Sequence, residues 1–231
     1  DASPQQFAVM LPPLLGCKMD AVPLLRSVLQ TPPKVKWSDN GIGDHPAASP
    51  DFADAVEAAD GMLAEHFALC QQMPLEQFRE LADDFTRSGY RPISFRPYEC
   101  AEQICVAAVW TRDGLKWHAN YGGSAEDIRT EDAEMHSKKM WPVDVGYYVA
   151  QAPEGNRANR FVAVWAEQWT DVNDARMYVG VPESGHEAAW SPLVNDNFSV
   201  RTNMKTQDVN GNHLYSSVRW RLWQEPRCRD S

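Results

Sequence analysis

The sequence lacks long apolar runs and is poor in positive charge. No stretch approaches the roughly 20 apolar residues of a membrane-spanning helix, and the first residues lack the basic-then-apolar order of a signal peptide. The chain has 22 Lys and Arg against 32 Asp and Glu, a formal net charge of -10. Nucleic acids and acidic membranes bind basic surfaces, so this balance argues against both. We therefore expect no nucleic-acid partner and no membrane span.

The sequence also lacks ordered sets of cysteine and histidine. Its five cysteines are scattered and odd in number, and its six histidines include no His-Glu-x-x-His. An odd number of scattered cysteines favours a reduced environment over a disulfide framework, and it slightly favours the cytoplasm among compartments. Only Cys100 and Cys105, across the end of a predicted hairpin, are placed to pair. We expect neither a metal nor a cofactor.

What the sequence does contain is an echo of one strand-like hexapeptide. Cys105–Trp110 (CVAAVW) and Arg160–Trp165 (RFVAVW) are the two clear copies, and Tyr215–Trp220 (YSSVRW) is a degenerate third. The tryptophans of the clear copies stand 55 positions apart. A fixed period of this length predicts tandem supersecondary units that bury their apolar faces only together.

The alignment of the third copy has two solutions. If Val218 corresponds to Val164, Arg219 takes the tryptophan position. If Trp220 corresponds to Trp165 instead, the strand shifts by one residue and the opposite set of side chains faces inward. We prefer the valine register.

The residues before the echo predict helices. Ser3, Pro4 and Gln6 begin a first helix, and a second follows with Pro23 in its first turn. Residues 31–50 are rich in Pro and Gly and predict a linker. Apolar residues at three- and four-residue steps then predict a helix over 51–70. We assign residues 1–73 to an N-terminal helical segment.

From Pro74 onward the pattern changes to a helix followed by about three antiparallel strands. Pro74 begins a helix that Gly89 ends, and the strands follow over residues 90–95, 106–112 and 115–121. Ser124 with Asp127, and Ser184 with Glu187, are capping boxes for the next two helices. The predicted fold is α+β, with tandem helix-plus-hairpin repeats of about 55 residues at 74–123, 124–182 and 183–231 within a repeat domain over 74–231.

These segments resemble a known module. Gly89–Ile93 and Val106–Trp110, followed by a helix, Pro142–Val145 and Arg160–Trp165, are similar to the bacterial tandem-repeat module that forms the non-catalytic half of polyglycine hydrolases. The resemblance covers about residues 74–223. It implies curved arrays that serve as accessory regions of large multidomain proteins, some of which carry a serine/threonine kinase or a sulfatase-modifying-factor-like domain.

The same resemblance places catalysis elsewhere. In polyglycine hydrolases the catalytic serine lies in a separate β-lactamase-like domain, and this sequence has no matching Ser-x-x-Lys. It has no kinase Gly-rich loop and no His-Arg-Asp either. Asp1 at the first position and the lack of an evident terminus at Ser231 favour a segment of a longer protein.

Our first functional hypothesis is a non-catalytic binding or scaffolding module of a larger bacterial multidomain protein, for which a serine/threonine kinase is one candidate. Its partners are then other domains of that protein, or a protein or glycan ligand. Aromatic side chains on a concave repeat surface stack on sugars or hold peptides, although packing between repeats also explains them. The candidate binding residues are Trp117, His118, Tyr121, Trp169 and Tyr178.

The second hypothesis is a hydrolase, peptidase-like or glycosidase-like. Ser124, His118 and Glu134 are its best candidates, although the acidic residue three positions after Ser124 favours a capping role. Two loops, residues 171–174 and 208–212, have the oxygen density of calcium sites. Turn chemistry explains both loops without a metal.

The echo generates a prediction about stability. Burial of Trp165 removes about 150 to 250 Å² from water, worth roughly 4 to 6 kcal/mol at about 25 cal/mol per Å². We expect Trp165→Ala to destabilise the fold by about 3 to 5 kcal/mol, measured by urea denaturation. A denaturation midpoint equal to that of the wild type contradicts a core role for this tryptophan.

Overall fold

The computed structural model describes residues 45–101, 103–151, 157–167 and 172–222. All of them belong to one compact unit, Asn40–Ser231. The two N-terminal helices and most of the linker predicted from the sequence lie outside the described residues. None of the described helices is long and apolar enough to cross a membrane.

The described residues form helices and antiparallel strands, so the α+β prediction is confirmed. The helices are α1 (Pro50–Ala58), α2 (Leu75–Arg87), α3 (Ala125–Ser137) and α4 (Glu183–Asn195). The strands are β1 (Met62–Leu63), β2 (Phe67–Pro74), β3 (Tyr90–Cys100), β4 (Gln103–Arg112), β5 (Trp117–Gly123), β6 (Met140–Gln151), β7 (Arg157–Glu167), β8 (Val172–Pro182), β9 (Ser199–Gln207) and β10 (His213–Leu222).

The described strands form three sheets that share one strand order, apart from the additional strand β1 at the edge of sheet 1. Sheet 1 is β1-β2-β4-β3, sheet 2 is β5-β7-β6, and sheet 3 is β8-β10-β9. Along the chain each sheet takes a strand, a helix and then a hairpin, and the second strand of the hairpin inserts between the other two. The pairs that result are antiparallel throughout.

The third strand predicted for each of the first two units exists but belongs to the next sheet. β5 was expected beside β4 and pairs with β7 instead, and β8 pairs with β10. The reason is that β4 already has β2 on one edge and β3 on the other, which leaves no edge for β5. The chain therefore passes from one sheet to the next through a single strand.

The helix predicted over 51–70 is wrong beyond its first half. α1 ends at Ala58, Asp60 adopts a φ of 56°, and the chain returns as β1 and β2. A Cβ at Gly61 would lie 2.3 Å from the Leu69 carbonyl oxygen, so only glycine permits this close approach. Pairing of β2 with β4 overrides the helical spacing of the apolar residues.

One of the two predicted capping boxes is confirmed. Ser124 Oγ accepts from the Asp127 N–H at 3.1 Å, and the Asp127 carboxylate accepts from the Ser124 N–H at 2.8 Å. The other is wrong, because α4 begins at Glu183 with Pro182 at the cap position. Pro182 lacks a side-chain acceptor, and Ser184 lies inside the first turn.

The two echoed tryptophans are core residues. Trp110 and Trp165 are both fully buried, and each lies opposite a proline of the neighbouring strand, Pro92 or Pro142. In sheet 3, Arg219 lies opposite Val200 next to the same kind of β-bulge. Arg219 therefore occupies the tryptophan position, which confirms the valine register.

A buried carboxylate joins all three sheets. Asp144 on β6 is 1% exposed and accepts from the Phe95 N–H at 2.7 Å and from the Arg96 guanidinium, both on β3. Its other oxygen accepts from Thr202 Oγ1 on β9 at 2.8 Å. Asp144 thus has its donors on both neighbouring sheets.

A second polar network fastens α3 to sheet 3. Asp132 accepts from the indole N–H of Trp165 at 2.7 Å, and His136 lies beside the same carboxylate. His136 Nε2 is 2.9 Å from the Ala175 carbonyl oxygen on β8. The hydrogen bond to Asp132, opposed by burial, raises the pKa of His136 to about 9.

The Asp144 contacts predict a large effect of one substitution. Asp144→Ala leaves the Phe95 N–H and Thr202 Oγ1 without their acceptor and removes the carboxylate that pairs with Arg96, so we expect a loss of about 2 to 4 kcal/mol in urea denaturation. Thr202→Val, which removes one hydrogen bond, is the matched control and should cost about 1 kcal/mol. Equal losses for the two variants would argue against a three-sheet role.

His136 predicts a pH dependence of stability. Its folded pKa of about 9 lies above the ordinary 6.5, so the folded state holds the extra proton between these values. The stabilisation is complete below pH 6.5 and is lost as pH rises through 9. We expect a loss of about 1 to 2 kcal/mol across this window, measured by urea denaturation. His136→Gln should remove this slope, and identical pH profiles for variant and wild type would refute the assignment.

Candidate functional site

Three of the five predicted binding residues lie together on β5. Side chains alternate along a strand, so Trp117 and Tyr121 face α2 and His118 faces α3. The Trp117 and Tyr121 rings lie 6.5 and 5.7 Å from that of Phe78, whereas His118 lies beside the Trp165 indole. Burial raises the pKa of Tyr121. Trp117 and Tyr121 are therefore largely packing residues.

The other two predicted binding residues are Tyr178 and Trp169. Tyr178 lies on β8 in sheet 3, is 8% exposed, and has its hydroxyl 3.3 Å from His186 Nε2. Trp169 lies outside the described residues.

The hydrolase candidates do not assemble. Ser124 Oγ caps α3, and Glu134 is an exposed carboxylate that accepts from Lys138 Nζ at 2.6 Å, which lowers the pKa of Glu134. The hydrogen-bond partner of His118 is Glu131 instead. The three candidates therefore do not form a nucleophile, base and acid in line.

A polar network surrounds His118. The two oxygens of Glu131 on α3 each lie 2.6 Å from one partner, His118 Nε2 and Asn120 Nδ2. The side-chain oxygen Oδ1 of Asn120 then accepts from the backbone N–H groups of Gly122 and Gly123 at 3.0 and 2.8 Å. The network fixes the His118 ring and the bulge that ends β5.

An open cleft of about 900 Å³ runs beside β5. Residues 118–123 form its floor, Glu76 and Arg79 of α2 form one wall, and Asp127 and Glu131 of α3 form the other. Tyr148 and Arg160 lie at one end. Sequence reasoning missed Asn120, although its place two residues after His118 on a strand was a usable signal. It had no signal for Arg79 or Arg160, which come from distant elements.

The charged side chains of the cleft are engaged by neighbouring groups. Arg79 binds the Glu76 carboxylate at 3.2 Å, and Glu131 is engaged by His118. Hydrogen bonds from Ser124, with a smaller effect of Arg160, lower the pKa of Asp127. A charged ligand would disturb these pairs, whereas a neutral polar ligand would not.

The described residues contain no group of three His, Cys, Asp or Glu side chains placed to hold a metal ion. In the loop at 208–212 the Asp208 carboxylate accepts from the N–H groups of Asn210 and Asn212, each at 2.8 Å. Turn hydrogen bonds therefore engage this carboxylate, and Asp171 of the other loop lies outside the described residues. Cys100 and Cys105 are free thiols.

The polar network has no counterpart in the other two sheets. His118 lies opposite Trp165, as Ala68 lies opposite Trp110 and Arg176 opposite Arg219. By this register and the helix starts, the positions of His118, Asn120 and Glu131 hold Ala68, Cys70 and Leu81 in sheet 1, and Arg176, Tyr178 and Ala189 in sheet 3. The architecture therefore does not itself require the network.

Comparison with known proteins gives a match to a protein family but not to an individual protein. Neither the curated proteins nor the solved structures contain a match to the chain. Residues 70–113 match a protein family described as polyglycine hydrolase-like, structural repeat. The matched residues begin within β2 and run through α2 and β3 to the end of β4, one strand-helix-hairpin segment. This segment is similar to the structural repeat of polyglycine hydrolase-like proteins.

Proposed function

We propose that this chain is a non-catalytic binding module of a larger protein, built from tandem repeats of about 55 residues, and that it binds its ligand in the cleft beside β5. The similarity of residues 70–113 to a structural repeat supports the non-catalytic role. The strand order common to the three sheets supports the tandem architecture. The partner is a protein or glycan ligand, or another domain of the same protein.

The observation that carries the proposal is the network of His118, Asn120 and Glu131. Packing residues serve at the corresponding positions of sheet 1, so the fold can be built without these polar groups. Ionisable and amide side chains that the fold does not need, placed on the wall and floor of a cleft, favour recognition of a polar ligand.

The geometry favours binding over hydrolysis. Glu131 holds the His118 ring in place, but the hydroxyl of Ser124 caps α3 and is not aligned with that ring as a nucleophile. A hydrogen-bonding histidine held by a carboxylate can select a donor or acceptor on a ligand without chemistry.

The proposal predicts binding that depends on the cleft. We expect the purified full chain to bind a member of a panel of neutral glycans and synthetic peptides, measured by isothermal titration calorimetry. His118→Ala should weaken this binding about tenfold, the effect of one lost hydrogen bond, with little change in stability because the ring is partly exposed.

Glu187→Ala is the matched control, because Glu187 lines a different pocket, on α4. It should leave the affinity unchanged. Binding that is equal for the His118 and Glu187 variants would place the ligand elsewhere, and turnover of a panel member by the purified chain would contradict the non-catalytic assignment.

A further inference from the structure

The outer edge of β5 carries unpaired backbone groups. β5 pairs with β7, and the Glu167 N–H donates to the Lys116 carbonyl oxygen at 2.9 Å. The backbone groups of an antiparallel strand alternate between facing the partner strand and facing away, so Trp117 and Ala119, which precede the bulge, direct their N–H and C=O groups away from β7. This edge borders the cleft, whose floor is the consecutive run 118–123.

In sheet 1 a short strand covers the corresponding edge. Met62 of β1 pairs with Leu69, which occupies the position of Ala119. On either side, the Ala64 N–H donates to the Phe67 carbonyl oxygen at 2.9 Å, and the Gln71 N–H donates to the Ala59 carbonyl oxygen at 3.1 Å. An extended segment therefore already occupies this edge once in the molecule.

In sheet 3 side chains of α3 cover the corresponding edge. His136 Nε2 lies 2.9 Å from the Ala175 carbonyl oxygen, and Arg129 Nη1 donates to the Val179 carbonyl oxygen at 3.2 Å. These carbonyls flank Met177, which takes the position of Ala119. The edge of β8 is thus closed without an added strand.

In sheet 2 neither device is present. At the α2 positions that match Arg129 and His136, Arg79 binds Glu76 and Thr86 Oγ1 donates to the Ala82 carbonyl oxygen. Tyr148 donates to the Tyr121 carbonyl oxygen at 3.0 Å. Within the described part of the chain, no hydrogen bond reaches the outward backbone groups of Trp117 and Ala119.

We propose that the edge of β5 binds an extended peptide, which adds to sheet 2 as an antiparallel strand. The proposal rests on the proposed function and names the ligand class of the same cleft. The run from Trp117 to Tyr121 spans about 14 Å, enough for a strand of about five residues. Backbone hydrogen bonds at a sheet edge give affinity, and pockets for alternate side chains give selectivity.

The surroundings specify the chemistry of the peptide. Its side chains would point alternately toward Arg79 and Glu76 on α2 and toward Glu131 on α3. Because these charged groups already have hydrogen-bond partners within the cleft, an uncharged peptide with polar side chains fits best. The precedent of β1 on β2 favours a peptide over a glycan, since a glycan cannot continue the backbone ladder.

The test uses the full chain and an array of synthetic heptapeptides of Val, Thr, Ser, Ala, Gly, Asn and Gln. Binding is followed by isothermal titration calorimetry and by NMR hydrogen exchange. In the free protein the Ala119 amide should exchange fast and that of its counterpart Leu69 slowly. The strongest binder in the array should slow exchange at Ala119 by about tenfold or more.

Two changes isolate the backbone contact. Ala119→Pro removes an outward N–H at a sheet edge, where proline is tolerated, and should weaken binding at least about tenfold. Met177→Pro, at the matching position of β8, is the control and should leave binding unchanged. The bound heptapeptide can be N-methylated at its odd-numbered or at its even-numbered residues. Only one of these two sets should abolish binding, because only one set of amides faces β5. This test leaves the protein unaltered.

The outcomes separate this inference from the proposed function. Both the peptide inference and the proposed function are supported by a heptapeptide that slows exchange at Ala119 and loses binding when only one of the two sets of alternate amides is methylated. A glycan that binds and depends on His118, with no heptapeptide bound up to about 1 mM, overturns the peptide inference and leaves the binding module intact. The peptide inference is also overturned if peptide binding is unchanged by Ala119→Pro and is affected equally by methylation of either set of alternate amides.

Discussion

The stacking of the three sheets depends on the Asp144 carboxylate. A buried carboxylate is costly unless donors surround it, and the donors of Asp144 come from β3 on one side and β9 on the other. Gly146, two residues further on β6, allows β3 to approach so closely that a Cβ would lie 2.8 Å from Pro97. The hydrogen bonds to Asp144 and the close backbone approach at Gly146 thus fix the same interface between β3 and β6. This interface in turn sets the position of β5 between α2 and α3.

Passing one strand from each sheet to the next creates a recurring exposed edge. In each sheet the strand before the hairpin, which is β2, β5 or β8, lies under the preceding helix. Its own hairpin pairs with one of its edges and leaves the other edge without a partner from that hairpin. Exposed edges invite pairing with other chains, so proteins usually cover them. This molecule uses β1 on β2 and the side chains of Arg129 and His136 on β8, so among the three corresponding strands β2, β5 and β8 the edge of β5 differs in having neither cover within the described residues.

Local patterns were sufficient to predict much of the fold and little of the site. The Val-Trp echo predicted two buried strands because short runs of apolar, β-branched and aromatic residues fit the interior of a sheet, and Ser124 with Asp127 predicted its cap because both halves of the box are local. The sheet to which β5 belongs was missed because either pairing buries the same side chains. His118 and Asn120 share a face by the strand period, but their partner Glu131 comes from a helix that only the tertiary structure brings near.

The site arises from few changes on a common architecture. Arg79 and Arg129 both bind a glutamate three residues earlier, yet only Arg129 also reaches a strand carbonyl. At the position of Val179, Tyr121 places a ring beneath Arg79, and its carbonyl is taken by Tyr148 instead. Thr86 stands where His136 would close the other end of the edge and is too short to do so. The short Thr86 in place of a histidine, and Tyr121 in place of a valine, are therefore enough to leave a backbone edge open beside a polar wall. The buried contacts that hold the sheets together stay unchanged.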